Sequence, residues 1–181
     1  MSVRRTGEAF GMFIPVSTLL FVGVYLGGSH LYHWWDPAYV ASDAILSKKA
    51  DWLNTGFFGA TSIISLVAIS VVSFWMRMTS TKQDEKGSVK THGLQKAQAT
   101  LFLVVFVLGF SFLAWNLLMT LEPHWFSTMW QVYAFAGLFQ SGLALMVLIV
   151  LYLKKTGVAG DFIGLSQVHS LGQLMFGFTV F

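Results

Sequence analysis

Residues 97–121 read AQATLFLVVFVLGFSFLAWNLLMTL, 25 consecutive residues without a charge. A helix needs about 20 mostly apolar residues to cross the hydrocarbon core of a bilayer, so this run is long enough to span by itself. Three more runs repeat the pattern: Phe10–Gly28 with 19 residues, Leu53–Met76 with 24 and Met129–Leu153 with 25. Phe10–Gly28 is too long for a signal-peptide core and no small-residue cleavage site follows it. Pro15 lies early in that run, where neighbours can satisfy a freed carbonyl. The sequence closes on Leu171–Phe181, eleven uncharged residues, too few to span. The expected architecture is all-α: one polytopic transmembrane bundle over residues 1–181, with four full spans and a partial fifth. That half-helix, and Arg4 and Arg5 close behind Met1, lead to the expectation that the chain is a section of a longer subunit.

Composition supports the same class. Of 181 residues, 55% are hydrophobic and only 10% charged, against about a quarter charged in a soluble domain. So few charges cannot cover a water-soluble globule, and so much apolar content excludes a disordered chain. There is no cysteine. Disulfides, thiolate zinc sites, cysteine-held iron–sulfur clusters and covalent c-type haem are therefore excluded within this sequence. The net charge of +3 belongs to lysine-rich loops and gives no reason to invoke nucleic acid.

The loops set an expected orientation. Arg4 and Arg5, then Arg77, Lys82, Lys86, Lys90 and Lys96, then Lys154 and Lys155 lie on one side of the four spans. Only Lys48 and Lys49 lie on the other. Nine against two is a positive-inside signal. It assigns the amino end and the polar stretch Thr79–Gly93, read as a solvated connection, to the cytoplasm. His30–Trp52 and Glu122–Thr128 then face outward.

The outward segments hold most of the candidate chemistry. His30 and His33 are three apart and would share a face on a helical end. His124 follows Glu122 by two, and Trp34, Trp35 and Trp125 lie in the same segments. Imidazoles titrate near neutrality, so such a cluster can accept protons from a quinol or pass them to water. Flat aromatic rings at that depth can clamp a quinone. The bland reading is that Trp, His and Glu sit at helix ends because water is near. No histidine lies inside an apolar run, so the facing imidazoles that hold a b-type haem are missing. Within the spans the polar residues are Asn116 and Gln140, with Gln131 near an end. Amides there read first as hydrogen-bonding glue between helices. Gly23 and Gly27, and separately Gly137, Ser141 and Ala144, predict close helix approach. Gly157 and Gly160 follow no strand, so no phosphate-binding loop is implied.

The stretch Leu121-Glu122-Pro123-His124-Trp125-Phe126-Ser127-Thr128, with Ala114-Trp115 before it, resembles a signature of the NrfD-like (polysulfide reductase) membrane subunits. It is most similar to the F-type subunit of bacterial alternative complex III. Val3-Arg4-Arg5 with Glu8, His30-Leu31-Tyr32-His33-Trp34 and Leu171–Phe181 resemble other parts of the same family. The resemblance implies a bacterial inner-membrane subunit of a quinol:acceptor oxidoreductase, supporting quinone binding, proton transfer or both. It implies no redox cofactor on this chain. Haem c and iron–sulfur clusters would sit on partner subunits, beside a quinol-oxidising sister subunit. It also implies Glu122, His124, His30 and His33 as proton-transfer residues, with Arg4, Arg5 and Glu8 anchoring the cytoplasmic end. An acid often stands in the family where Asn116 stands here, which puts a proton path through that position in doubt. Two other readings stay open: a purely structural scaffold in such a complex, and a small transporter. The second would show charges near the midplane and broken helices.

Overall fold

A computed structural model describes residues 2–86, 90–157 and 164–180. The protein is all-α, with no strand among the described residues. Helix α1 (Ser2–Phe10) leads through a 3-10 turn at Gly11–Phe13 into α2 (Ile14–Leu26). Two short helices follow, α3 (Gly28–Leu31) and α4 (Pro37–Ser42), then the long α5 (Thr55–Lys86) and α6 (Lys90–Leu113). Helix α6 continues as a π turn at Ala114–Leu118 and a 3-10 turn at Met119–Leu121. The last helices are α7 (Trp130–Lys155) and α8 (Leu165–Val180). Four stretches are long and apolar enough to cross a membrane: Thr6–Leu26, Thr55–Gln83, His92–Leu121 and Trp130–Lys155. Helix α8 starts six residues ahead of the expected half-span at Leu171. Phe181 lies outside the described residues, as do the side chains of Arg4 and Arg5, and Gly160.

Helix ends depart from hydropathy in a consistent way. The stretch Thr79–Gly93, read as a solvated connection, is helical to Lys86 and again from Lys90, with Thr81, Lys82, His92 and Gly93 exposed and residues 87–89 outside the described residues. Hydropathy marks where hydrocarbon would end. A helix satisfies its own backbone and has no reason to stop there. The polar side chains at that end also join the two helices. Gln98, fully buried, donates from Nε2 to Thr79 Oγ1 at 2.8 Å, and Thr79 donates in turn to the Trp75 carbonyl. Pro15 does not kink a helix interior. It occupies the first turn of α2, where a missing N–H costs nothing.

The described residues form two compact units, Met12–Gln131 and, separately, the residues up to Gly11 with those from Val132 on. In the larger unit α5 packs along α6 and against α2. Exposure is inverted relative to a water-soluble protein. Leu19, Leu20, Leu103 and Leu108 point outward, while Ser62, Ser65, Gln98 and Asn116 are buried. A bundle facing hydrocarbon gains nothing by hiding leucine and loses much by exposing an amide. Close approach falls at other glycines than expected. Among the described residues nothing lies within 4 Å of an added Cβ at Gly23 or Gly137. At Gly28 such an atom would meet the Trp35 ring at 2.6 Å, and at Gly59 the Tyr25 ring at 2.7 Å. In the smaller unit Gln140 Nε2 donates to Thr179 Oγ1 at 2.8 Å. Phe139 and Phe178 pack beside that bond with ring centroids 4.5 Å apart.

Candidate functional site

At one end of the larger unit α6 loses its regular geometry. The last four carbonyls of any helix lack intrahelical partners, and a π turn is a local widening often found at functional sites. Here the irregular end is held by α5, by residues 32–34 and by a bond within itself. Asn116, 1% exposed, donates from Nδ2 to Thr61 Oγ1 at 2.8 Å and to Ser62 Oγ at 3.0 Å, both on α5. Tyr32 donates its hydroxyl to the Leu117 carbonyl at 3.1 Å, and Trp34 Nε1 donates to the Thr120 carbonyl at 3.0 Å. Thr120 closes on the Asn116 carbonyl through its own hydroxyl.

Tyr32 and Trp34 reach those carbonyls from an aromatic knot. Around Phe58, 1% exposed, sit Tyr32, Trp34 and Trp35 with ring centroids 5.2, 5.5 and 5.6 Å away. Phe21, Val40, Leu46, Leu53 and Leu66 complete this core. Burial raises the Tyr32 phenol above its ordinary value.

Two contacts join residues 43–49 to residues 123–126. His124 Nε2 donates to Asp43 Oδ2 at 2.8 Å across 81 residues of sequence. Asp43 Oδ1 accepts the backbone N–H groups of Ile45 and Leu46 at 2.7 and 3.0 Å. The imidazole first, then these amides, hold the Asp43 carboxyl down to about 2. Lys49 Nζ donates to the Pro123 carbonyl at 2.8 Å and stands 5.7 Å from the centre of the Phe126 ring.

Beside these contacts an open cleft of about 440 Å³ lies between residues 48–53 and 115–126. Trp52, Trp115, Trp125 and Phe126 wall it, and Lys48, Lys49 and Asp51 supply its charge. Trp52 meets Trp115 edge-on at 6.0 Å, and Trp115 Nε1 donates to Gln131 Oε1 at 3.2 Å, so these two rings are fixed.

The expected site residues therefore separate. His124 joins Asp43. Glu122 is exposed next to the cleft in sequence but does not line it. His30 and His33 are exposed, and the extended backbone of Tyr32 (φ −118, ψ 113) divides α3 from the turn at His33. They do not share a helical face, because Tyr32 is drawn inward to the Leu117 carbonyl. His33 instead lies near Tyr39, with ring centroids 6.2 Å apart. Asn116 is in the buried clamp, and Gln140 is in the other unit. Trp34 belongs to the core, and Trp35, partly buried, packs against it. Asp43, Asp51 and Trp52 were not singled out by sequence, Trp115 entered only with Ala114 ahead of the family-like stretch, and Lys48 and Lys49 counted only as loop charges. For Trp52 the available signal was a tryptophan directly ahead of the apolar run that starts at Leu53. Asp43 carried no local signal. Among the described residues no three His, Asp or Glu side chains converge to hold a metal ion.

No family model matches the chain. No curated protein matches it either.

Proposed function

We propose that this chain is an integral membrane subunit of a quinol:electron-acceptor oxidoreductase of the alternative complex III type. It carries no redox cofactor of its own, lies in a bacterial inner membrane with its amino end cytoplasmic, and serves proton or quinone handling at the outer face. Its partners are a quinol-oxidising sister subunit, an iron–sulfur protein and a multihaem cytochrome c. The positive-inside asymmetry supports the orientation. The resemblance of residues 121–128 and 30–34 supports the family.

The observation that carries the reading is the His124–Asp43 pair at 2.8 Å. It ties His124 of the EPHWFST stretch to Asp43, in the segment that follows HLYHW. Chemically the pair is a proton-holding site at the ends of apolar helices. Asp43 orients the ring through Nε2, and the exposed ring can exchange a proton with water. Glu122 lies two residues away in the chain. The scaffold reading is favoured by a different observation: both Nδ2 donors of Asn116 are committed to α5 hydroxyls, which is the work of helix–helix glue.

The test is purification of the full-length subunit in mild detergent from its native membrane, with mass spectrometry of what accompanies it. Co-purification with a multihaem cytochrome c and an iron–sulfur protein is the expected result. A single cofactor-free species with no haem protein would sink the assignment and raise the transporter.

A further inference from the structure

We propose that the cleft between residues 48–53 and 115–126 is a seat for an anionic phosphoglyceride of the phosphatidylglycerol type, with its phosphate on Lys48 and Lys49 and its headgroup hydroxyls on Asp51. This goes beyond the redox reading and does not depend on it.

Depth is the first argument. Trp115, Met119 and Thr120 belong to the last turns of the span His92–Leu121, and Lys48–Leu53 run directly into the span Thr55–Gln83. The cleft is therefore at headgroup level, where tryptophan and lysine are both favoured. Shape is the second. At about 440 Å³ the cleft is of ligand size, and it is open rather than enclosed. An open cleft suits a molecule whose acyl chains remain in the bilayer. Charge is the third. Two lysines and one aspartate line it, a net of one positive charge, and phosphatidylglycerol carries one negative charge. Lys49 has one donor committed to the Pro123 carbonyl at 2.8 Å. That contact fixes the ammonium at the cleft and leaves two donors for phosphate oxygens. Lys48 is exposed at the rim. Asp51 is a poor neighbour for bare phosphate but accepts from a glycerol hydroxyl, so it selects a headgroup bearing donors. Trp52 and Trp115, fixed by each other and by Gln131, offer flat apolar walls to the glycerol backbone.

The experiment places the full chain in nanodiscs of phosphatidylcholine with a rising fraction of phosphatidylglycerol. Tryptophan emission follows binding, and native mass spectrometry counts retained lipid. A saturable emission change and one preferentially retained phosphatidylglycerol are expected, with phosphatidylcholine alone giving neither. Lys48→Gln should weaken retention about fivefold, the effect of removing one lysine charge near a membrane surface. Lys82→Gln, on an exposed lysine of α5 outside the cleft, should leave it unchanged. Equal retention by the Lys48→Gln protein, with an unaltered melting profile, overturns the proposal. An emission change reproduced by inorganic phosphate makes the site a free-phosphate site and overturns the lipid. Displacement of the bound lipid by a short-chain quinone, with quinone binding indifferent to Lys48→Gln, gives the cleft to the redox reaction and overturns it too.

Discussion

The aromatic knot around Phe58 and the aromatic cleft around Trp115 lie at the same end of one unit and draw on the same residue types, yet they are opposites. In the knot Trp34 is 2% exposed and Tyr32 3%, and both polar tips reach backbone carbonyls of the α6 extension. In the cleft Trp125 is 48% exposed and Phe126 73%, and the neighbouring polar groups are lysines and a carboxylate. Tryptophan at a membrane interface can thus serve two ends. Where its N–H finds a helix-terminal carbonyl it closes the fold. Where it stands beside charge in an open space it offers a surface. The difference lies in the partner of the polar tip, not in the ring.

Phe58→Ala should have the largest effect. It removes the ring on which Tyr32, Trp34 and Trp35 all pack, at a cost of about 3–5 kcal/mol. Trp125→Ala should stay within about 0.5 kcal/mol, as for other surface changes. Thermal unfolding in one detergent compares the two. Equal losses would end the distinction between knot and cleft.

Trp34→Phe sharpens the knot side. The ring volume is largely kept, but the Thr120 carbonyl loses its 3.0 Å donor. An unpaired buried carbonyl costs about 1–3 kcal/mol. The loss should appear first as faster amide exchange around residues 117–121, ahead of α5. Uniform exchange across both helices would mean that Trp34 acts only through packing.

These two regions also show what the sequence could reveal. The four spans were legible because a run of apolar residues has a length, and length alone decides whether a helix can cross. The buried polar residues of α5 were less so. Ser62 and Ser65 look like small residues on any face, and only the partner amide at Asn116 gives Ser62 a role. The division of the tryptophans was not legible at all. Residues 30–35 have no periodicity, and Tyr32 turns inward because of a carbonyl that a π turn 85 residues later presents. Asp43 was hidden for the same reason, since its imidazole is 81 residues away. Local spacing cannot encode such pairs, so the cluster read as one site resolves into core, dyad and exposed histidines.

A smaller effect is expected from acid. The Asp43 carboxyl is held at about 2, below its ordinary 3.8. A lowered folded value means that the carboxylate contributes stability above the ordinary value, and that this contribution is lost as pH falls through the folded one. The join between Asp43 and His124 should therefore weaken between about pH 4 and pH 2 and hold above it. Asp43→Asn should flatten that part of the stability profile while leaving the knot unchanged. This is read as tryptophan emission from the cleft against melting of the helices. A profile of the same shape in Asp43→Asn would assign the acid sensitivity to another carboxyl.

The smallest structural effect belongs to Glu122→Gln, which for that reason separates the two functional readings most cleanly. Glu122 is exposed, outside the knot and outside the cleft wall, so the change should alter stability by less than about 0.5 kcal/mol. The complex proposed above should be recovered in full. If, as proposed, this end of the molecule handles protons, loss of this carboxylate should lower quinol turnover, with on the order of 10²-fold as the scale for a positioned acid–base group, and shift its pH profile. A scaffold needs neither change, because an uncharged amide of the same size packs as well at an exposed helix end. Unaltered turnover and an unaltered pH profile in an intact complex would leave the Asn116 clamp as the main business of this end of the molecule. The His124–Asp43 pair would then be a fastening between two segments rather than a station for a proton.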